Sequence, residues 1–260
     1  MGNILISKTG AYVSGGDEES ADAYPLIRSN SFIACDLIPA QETYRGPLGS
    51  VEFAENPEPR IAVTLLLDTS SSMRGDPISE LNHGIMNFAA FVEEDPLARK
   101  RLELSVIQFG PVRVMSDFCT LDGFQLPELV ATGDTPIGEA VSLAVHRTEE
   151  RVLRYRDNGV NYYKPLIFLI TDGQPTDQWQ GAAHLLHAGV ARKDFNFFPV
   201  AVAGAQLDIL QQLSPTPPKL LRGIEFSEFF LWLSKSIAIV SRSTVGGTVI
   251  PPPTTAWEAF

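Results

Sequence analysis

Three short stretches carry oxygen donors in a pattern suited to a hard cation. Asp68-Thr69-Ser70-Ser71-Ser72 directly follows an apolar run. Thr132-Gly133-Asp134-Thr135-Pro136 precedes a helical pattern, and Thr171-Asp172-Gly173 follows a second apolar run. Asp68, Ser70, Ser72, Thr135 and Asp172 offer two carboxylates and three hydroxyls, with no His or Cys among them. Hard oxygen ligands select Mg²⁺, Mn²⁺ or Ca²⁺ over zinc or copper, and Mg²⁺ is the first expectation. In Asp68-x-Ser70-x-Ser72, alternate side chains of an extended loop point to one side. So few charged ligands leave the cation net positive, with bound waters and an exchangeable position. An exogenous carboxylate fits that position, which points to metal-bridged recognition of an acidic side chain on another protein.

The elements that must position these residues are legible from periodicity. Residues 61–67 and 166–170 are continuous apolar runs, as expected of parallel strands buried on both faces. Residues 102–109 and 197–202 read as further strands, with 112–115 as a short partner after Gly110-Pro111. Ile78, Leu81, Ile85, Phe88, Ala89 and Val92 recur at helical spacing. Pro136 opens a second helix, Thr176 is expected to cap a third running to about Ala191, and residues 226–240 form a last amphipathic helix. Alternating strands and helices predict an α/β, Rossmann-like doubly wound fold, with a mostly parallel central sheet and helices on both faces. The C-terminal strand ends of such a sheet line the ligand crevice, so the Asp68 and Asp172 stretches are expected to meet there.

Composition narrows the partners. The chain has 260 residues, 44% of them hydrophobic, and a formal net charge of −11, which disfavours nucleic acid and anionic membrane. Residues 226–240 are too short and too interrupted by Ser, Glu and Lys to span a bilayer. No basic stretch followed by a long apolar one opens the sequence, so no signal peptide is expected, and Cys35 and Cys119 read as reduced thiols of a cytoplasmic protein. Residues 1–50 read as an N-terminal extension, with short strands at 4–6 and 31–38. Within them Gly46-Pro47-Leu48-Gly49-Ser50 is either a native loop or the scar of a fused segment.

Plainer readings stand beside these. Asp and Ser after a strand commonly cap the next helix or shape a turn. Ser70 and Ser72 lack a Gly-x-Ser-x-Gly elbow with a His base, and no Gly-x-x-x-x-Gly-Lys loop occurs, so catalysis is disfavoured. A metal-dependent hydrolase using the same carboxylates, and a metal that merely staples loops, are the two rivals. His184 and His187 read as a polar helix face, and Arg99-Lys100-Arg101 as a solvated helix end.

As a set, Asp68-x-Ser70-x-Ser72, Gly133-x-Thr135-Pro136 and Thr171-Asp172-Gly173 resemble the metal-ion-dependent adhesion site of von Willebrand factor A domains. The longer strings, Leu66-Leu67-Asp68-Thr69-Ser70-Ser71-Ser72-Met73 and Leu169-Ile170-Thr171-Asp172-Gly173-x-Pro175-Thr176-Asp177-x-Trp179, resemble the bacterial TerY-type tellurite-resistance branch. The resemblance covers residues 51–260. It implies Ser70, Ser72 and Thr135 as hydroxyl ligands, Thr135 either direct or water-bridged, and Asp68 and Asp172 acting mainly through bound waters, or one of them directly. It also implies a setting in bacterial stress-resistance or phage-defence loci, linked to a Ser/Thr kinase and a metal-dependent phosphatase, where the chain would be a non-enzymatic scaffold or a substrate rich in exposed Ser and Thr. Asp134 departs from the family, which commonly has Gly before the motif Thr.

Overall fold

The computed structural model describes residues 53–247, 251–254 and 257–259. The expected strands at 4–6 and 31–38, the Gly46–Ser50 stretch and Cys35 lie outside the described residues.

Among the described residues, six strands form one sheet. They are β1 (Ile61–Asp68), β2 (Leu102–Phe109), β3 (Arg113–Cys119), β4 (Leu166–Thr171), β5 (Asn196–Ala201) and β6 (Lys219–Leu220), in the order β3-β2-β1-β4-β5-β6. All neighbours pair in parallel except β2 with β3, which are antiparallel at one edge. The helices are α1 (Asp76–Glu93), α2 (Pro96–Arg101), α3 (Ile137–Asp157), α4 (Gln180–Ala191), α5 (Leu207–Leu213) and α6 (Phe226–Arg242).

Every residue of β1 and β2 is buried, because helices cover both faces of the sheet. Ile61, Val63, Leu65 and Leu67 face a core shared with α1 and α6, whereas Leu66 joins the core beneath α3 and α4. Leu81, Ile85, Phe88 and Val92 form the buried stripe of α1. It meets α6 so closely that a Cβ on Gly84 would lie 2.6 Å from Phe230 Cδ2.

The periodic elements fall where the sequence places them, and the short ones are new. Asp95 caps α2 by accepting from Leu97 N and Ala98 N, each at 3.1 Å, and Arg99 and Arg101 occupy its last turn. α5 and the two-residue β6 are too short to show a period. One expectation is corrected. Thr176 does not cap α4; that helix begins at Gln180 after Trp179, and the Thr176 hydroxyl accepts from Thr135 N at 3.1 Å instead.

At the N-terminal end of the strands, Glu103 is buried among three donors. It accepts from Arg60 Nε at 2.9 Å, Arg151 Nε at 2.7 Å and the Tyr155 hydroxyl at 2.5 Å. Phe53 lies against both guanidinium groups, 5.6 and 4.9 Å from its ring centre.

Candidate metal centre

The chain leaves β1 toward β2 on one side and later returns as β4 on the other. The crevice of an open parallel sheet opens at such a reversal, outside the carboxyl ends of the strands. Asp68 ends β1 there, and Thr171 ends β4.

Asp68 is fully buried. Its Oδ1 accepts from Ser70 N at 2.8 Å and its Oδ2 from the Thr171 hydroxyl at 2.5 Å. Thr171 Oγ1 in turn accepts from Gly173 N at 3.1 Å. The Ser70 and Ser72 hydroxyls lie 2.9 Å apart, and Ser72 Oγ donates to Asp172 Oδ1 at 2.8 Å. The loop is not extended throughout: Ser71–Met73 form a 3-10 turn, and this turn brings the two hydroxyls together. Ser70 is buried, while Ser72 is exposed at the rim.

Thr135 reaches the cluster from α3's side. A Cβ on Gly173 would lie 3.0 Å from Thr135 Oγ1 and 3.4 Å from Asp68 Oδ2, so only a glycine lets the three meet. The loop before α3 is held on both flanks. Ser71 donates through N and Oγ to Gly133 O, at 3.1 and 2.9 Å, and Thr132 N donates to Thr69 O at 2.6 Å. On the far side Thr176 N donates to Thr135 O at 3.0 Å. Asp177 accepts from Gly138 N and Glu139 N at 3.0 and 2.8 Å, capping α3 from the β4–α4 loop.

Gly110 completes the packing. Its φ is +112°, and a Cβ there would lie within 2.9 Å of Thr132 O, Asp134 O and Ser70 N. The structure therefore gathers Asp68, Ser70, Ser72, Thr135 and Asp172 on one rim. Asp134 is exposed beside them. Thr171, Gly110, Thr176 and Asp177 hold that rim in place, and sequence reasoning assigned them no such part. Their signal was position: each lies at a strand end or within a loop already singled out.

The electrostatics of the rim are unbalanced. Burial pushes the Asp68 carboxyl above the ordinary carboxylate range, opposed by hydrogen bonds from Ser70 and Thr171 and reinforced by the Asp172 charge. Burial raises Asp172 as well, opposed by the Ser72 hydrogen bond. Among the described residues, no Lys, Arg or His forms an ion pair with either carboxylate. Two carboxylates and three hydroxyls are oxygen donors of the kind that hard divalent cations take. His184 and His187 are exposed on α4, apart from this rim.

The von Willebrand factor type A domain profile matches residues 62–229. The chain belongs to that family, whose domains commonly mediate protein–protein interaction. Solved structures with the same fold include the pilus adhesin SpaC from Lactobacillus rhamnosus GG in its open conformation. That match has a TM-score of 0.56 and 12% identity over 71% of this chain and 31% of that one. Another is proximal thread matrix protein 1 from the mussel byssus, with a TM-score of 0.50 and 18% identity over 70% of this chain and 49% of that one. The chain thus spans half or less of these proteins' lengths, and the likeness is one of fold. No curated protein sequence matches the chain. Among the described residues, no helix is long and apolar enough to cross a membrane.

Proposed function

We propose that this chain is a divalent-metal-dependent protein-binding module whose rim of Asp68, Ser70, Ser72, Thr135 and Asp172 is a metal-ion-dependent adhesion site. The observation that carries the reading is the pair of carboxylates, Asp68 and Asp172, gathered with three hydroxyls and no basic partner. A Mg²⁺ ion, or Mn²⁺ or Ca²⁺, fits that donor set. When bound, the cation would supply a Lewis-acidic position suited to a carboxylate oxygen of a partner protein. Ser70, Ser72 and Thr135 hold the ion as neutral ligands, and Asp68 and Asp172 balance part of its charge. We read the role as non-enzymatic, because neither serine sits in a Gly-x-Ser-x-Gly elbow and the side-chain partners of their hydroxyls are each other and Asp172, with no histidine among them.

The TerY-type strings support a finer setting: a cytoplasmic scaffold of a bacterial stress-resistance or phage-defence system, linked to a Ser/Thr kinase and a phosphatase.

The test is affinity capture from native lysate with Mg²⁺, with chelator, and with Asp68→Ala. Partners recovered only by the wild-type chain with Mg²⁺ are the expected result. Identical partners under all three conditions would overturn metal-bridged recognition.

A further inference from the structure

The loop that carries Thr135 has little structure of its own. Gly133 has a φ of +73°, and α3 begins after Pro136, whose side chain makes no capping bond. Its local bond runs from Ile137 N to Thr135 O at 2.9 Å. Ser71 holds Gly133, but Thr135 itself is fixed by the stretch between β4 and α4. Thr135 N donates to Thr176 Oγ1 at 3.1 Å, and Thr176 N donates back to Thr135 O at 3.0 Å. Two bonds between one pair of residues set both their separation and the tilt of the Thr135 backbone.

The contact extends along both segments. A Cβ on Gly138 would lie 2.8 Å from Trp179 Cα and 2.9 Å from Gln178 O, so the first turn of α3 lies against the same stretch. At its other end a Cβ on Gly173 would lie 2.9 Å from Thr135 Cγ2. Asp172 opens this stretch, and Thr176 follows four residues later. One loop therefore supplies an oxygen donor of the rim and also grips the residue that supplies another. Asp177 already caps α3 with two bonds, and Thr176 is exposed. The Thr176 hydroxyl thus adds little to the fold beyond its grip on Thr135.

We propose that Thr176, which lies outside the five oxygen donors of the rim, is a positioning residue that sets the Thr135 hydroxyl against Asp172 and so tunes cation affinity. The inference rests on the metal-site reading above and adds a residue that acts through Thr135. Donors already held in place do not have to be ordered when the cation binds, and the ordering cost saved appears as affinity. Losing the Thr176 hydroxyl leaves the Thr135 N–H without its acceptor and removes one of the two bonds that fix the residue. The Thr135 hydroxyl then has to be ordered at the moment of binding.

The experiment is calorimetric titration of the full chain with Mg²⁺, beside urea unfolding of each variant. Thr176→Val keeps the shape and removes the hydroxyl; its Mg²⁺ Kd is expected to rise about fivefold, the worth of one neutral hydrogen bond. Thr176→Ser restores the acceptor and the wild-type Kd. In a Thr135→Val background, where the positioned hydroxyl is gone, Thr176→Val changes the Kd no further, as a pair acting in series requires. A residue that only supports the fold would lower the urea midpoint and leave the Kd of the folded chain unmoved. An unchanged Kd in Thr176→Val, a Thr176→Ser as weak as Thr176→Val, or the same loss in both backgrounds would each overturn the inference while leaving the metal site standing. A wild-type chain that takes up no Mg²⁺ would overturn the metal reading itself.

Discussion

The Thr171 hydroxyl donates to Asp68 Oδ2 across 2.5 Å, tying the end of β4 to the end of β1. The same hydroxyl accepts from Gly173 N, so one threonine sets both the buried carboxylate and the turn that carries Asp172. Thr171→Val keeps the shape and removes both bonds. It is expected to destabilise the chain by about 1–3 kcal/mol, because the Asp68 oxygen loses its donor while buried. Urea unfolding measures the change; an unaltered midpoint would refute the tie.

Burial raises both Asp68 and Asp172 in the folded chain. The folded state without cation therefore holds protons to higher pH than the unfolded state. The pair's contribution to stability is fully present below the unfolded carboxylate value, about 3.9, and is lost as pH rises through the raised folded values. At pH 7 with chelator, Asp68→Asn is expected to melt above the wild type, by about 2–4 °C for each kcal/mol of charge burial relieved. The gap closes toward pH 4. Mg²⁺ reverses the order, raising the wild type and leaving the variant unmoved. A variant that melts lower at pH 7 in chelator would contradict the burial argument.

Asp177 caps α3 from a different element. Asp177→Ala is expected to cost about 0.5–2 kcal/mol, the usual range for a lost helix cap. It frees the loop that holds Thr135, so the Mg²⁺-induced rise in melting temperature should shrink as well. Differential scanning calorimetry with and without Mg²⁺ separates the two effects; a full Mg²⁺ response in the variant would show that the clamp does not position Thr135.

Glu103 accepts from Arg60, Arg151 and Tyr155 inside the protein. Glu103→Ala leaves buried guanidinium groups without their carboxylate and is expected to cost about 3–5 kcal/mol. Guanidinium denaturation provides the measurement, and a loss below 1 kcal/mol would mean that solvent or another acid replaces Glu103.

Gly84→Ala pits two effects against each other. Alanine favours a helix interior by about 1 kcal/mol, but its Cβ would lie 2.6 Å from the buried Phe230 ring and 3.2 Å from Phe226 Cβ. Overpacking costs about 1–3 kcal/mol, so a net loss is expected. The double variant Gly84→Ala with Phe230→Leu should recover part of it; a stabilised single variant would show that α6 shifts freely.

The buried strands and long helices were legible because their signal is local. An unbroken apolar run such as Leu65-Leu66-Leu67 needs cover on both faces, and the stripe Leu81, Ile85, Phe88 needs one core. The candidate rim was legible for a related reason: Asp68 and Asp172 each follow such a strand, and parallel strands end on the same side. Thr176 was misread because its local context, a Thr shortly before a helical pattern, matches a cap. Its actual donor, Thr135 N, lies 41 residues away.

By itself, then, the sequence determined the strand and helix types, the end of the sheet where the oxygen donors belong, and their hardness. Side-chain chemistry and hydrophobic period are properties of the chain alone. Only the tertiary structure decided that Thr171 donates to Asp68 and that Gly173 and Gly110 admit neighbouring loops. Each of these depends on atoms far apart in sequence brought within a few ångströms, and no local pattern encodes such an approach.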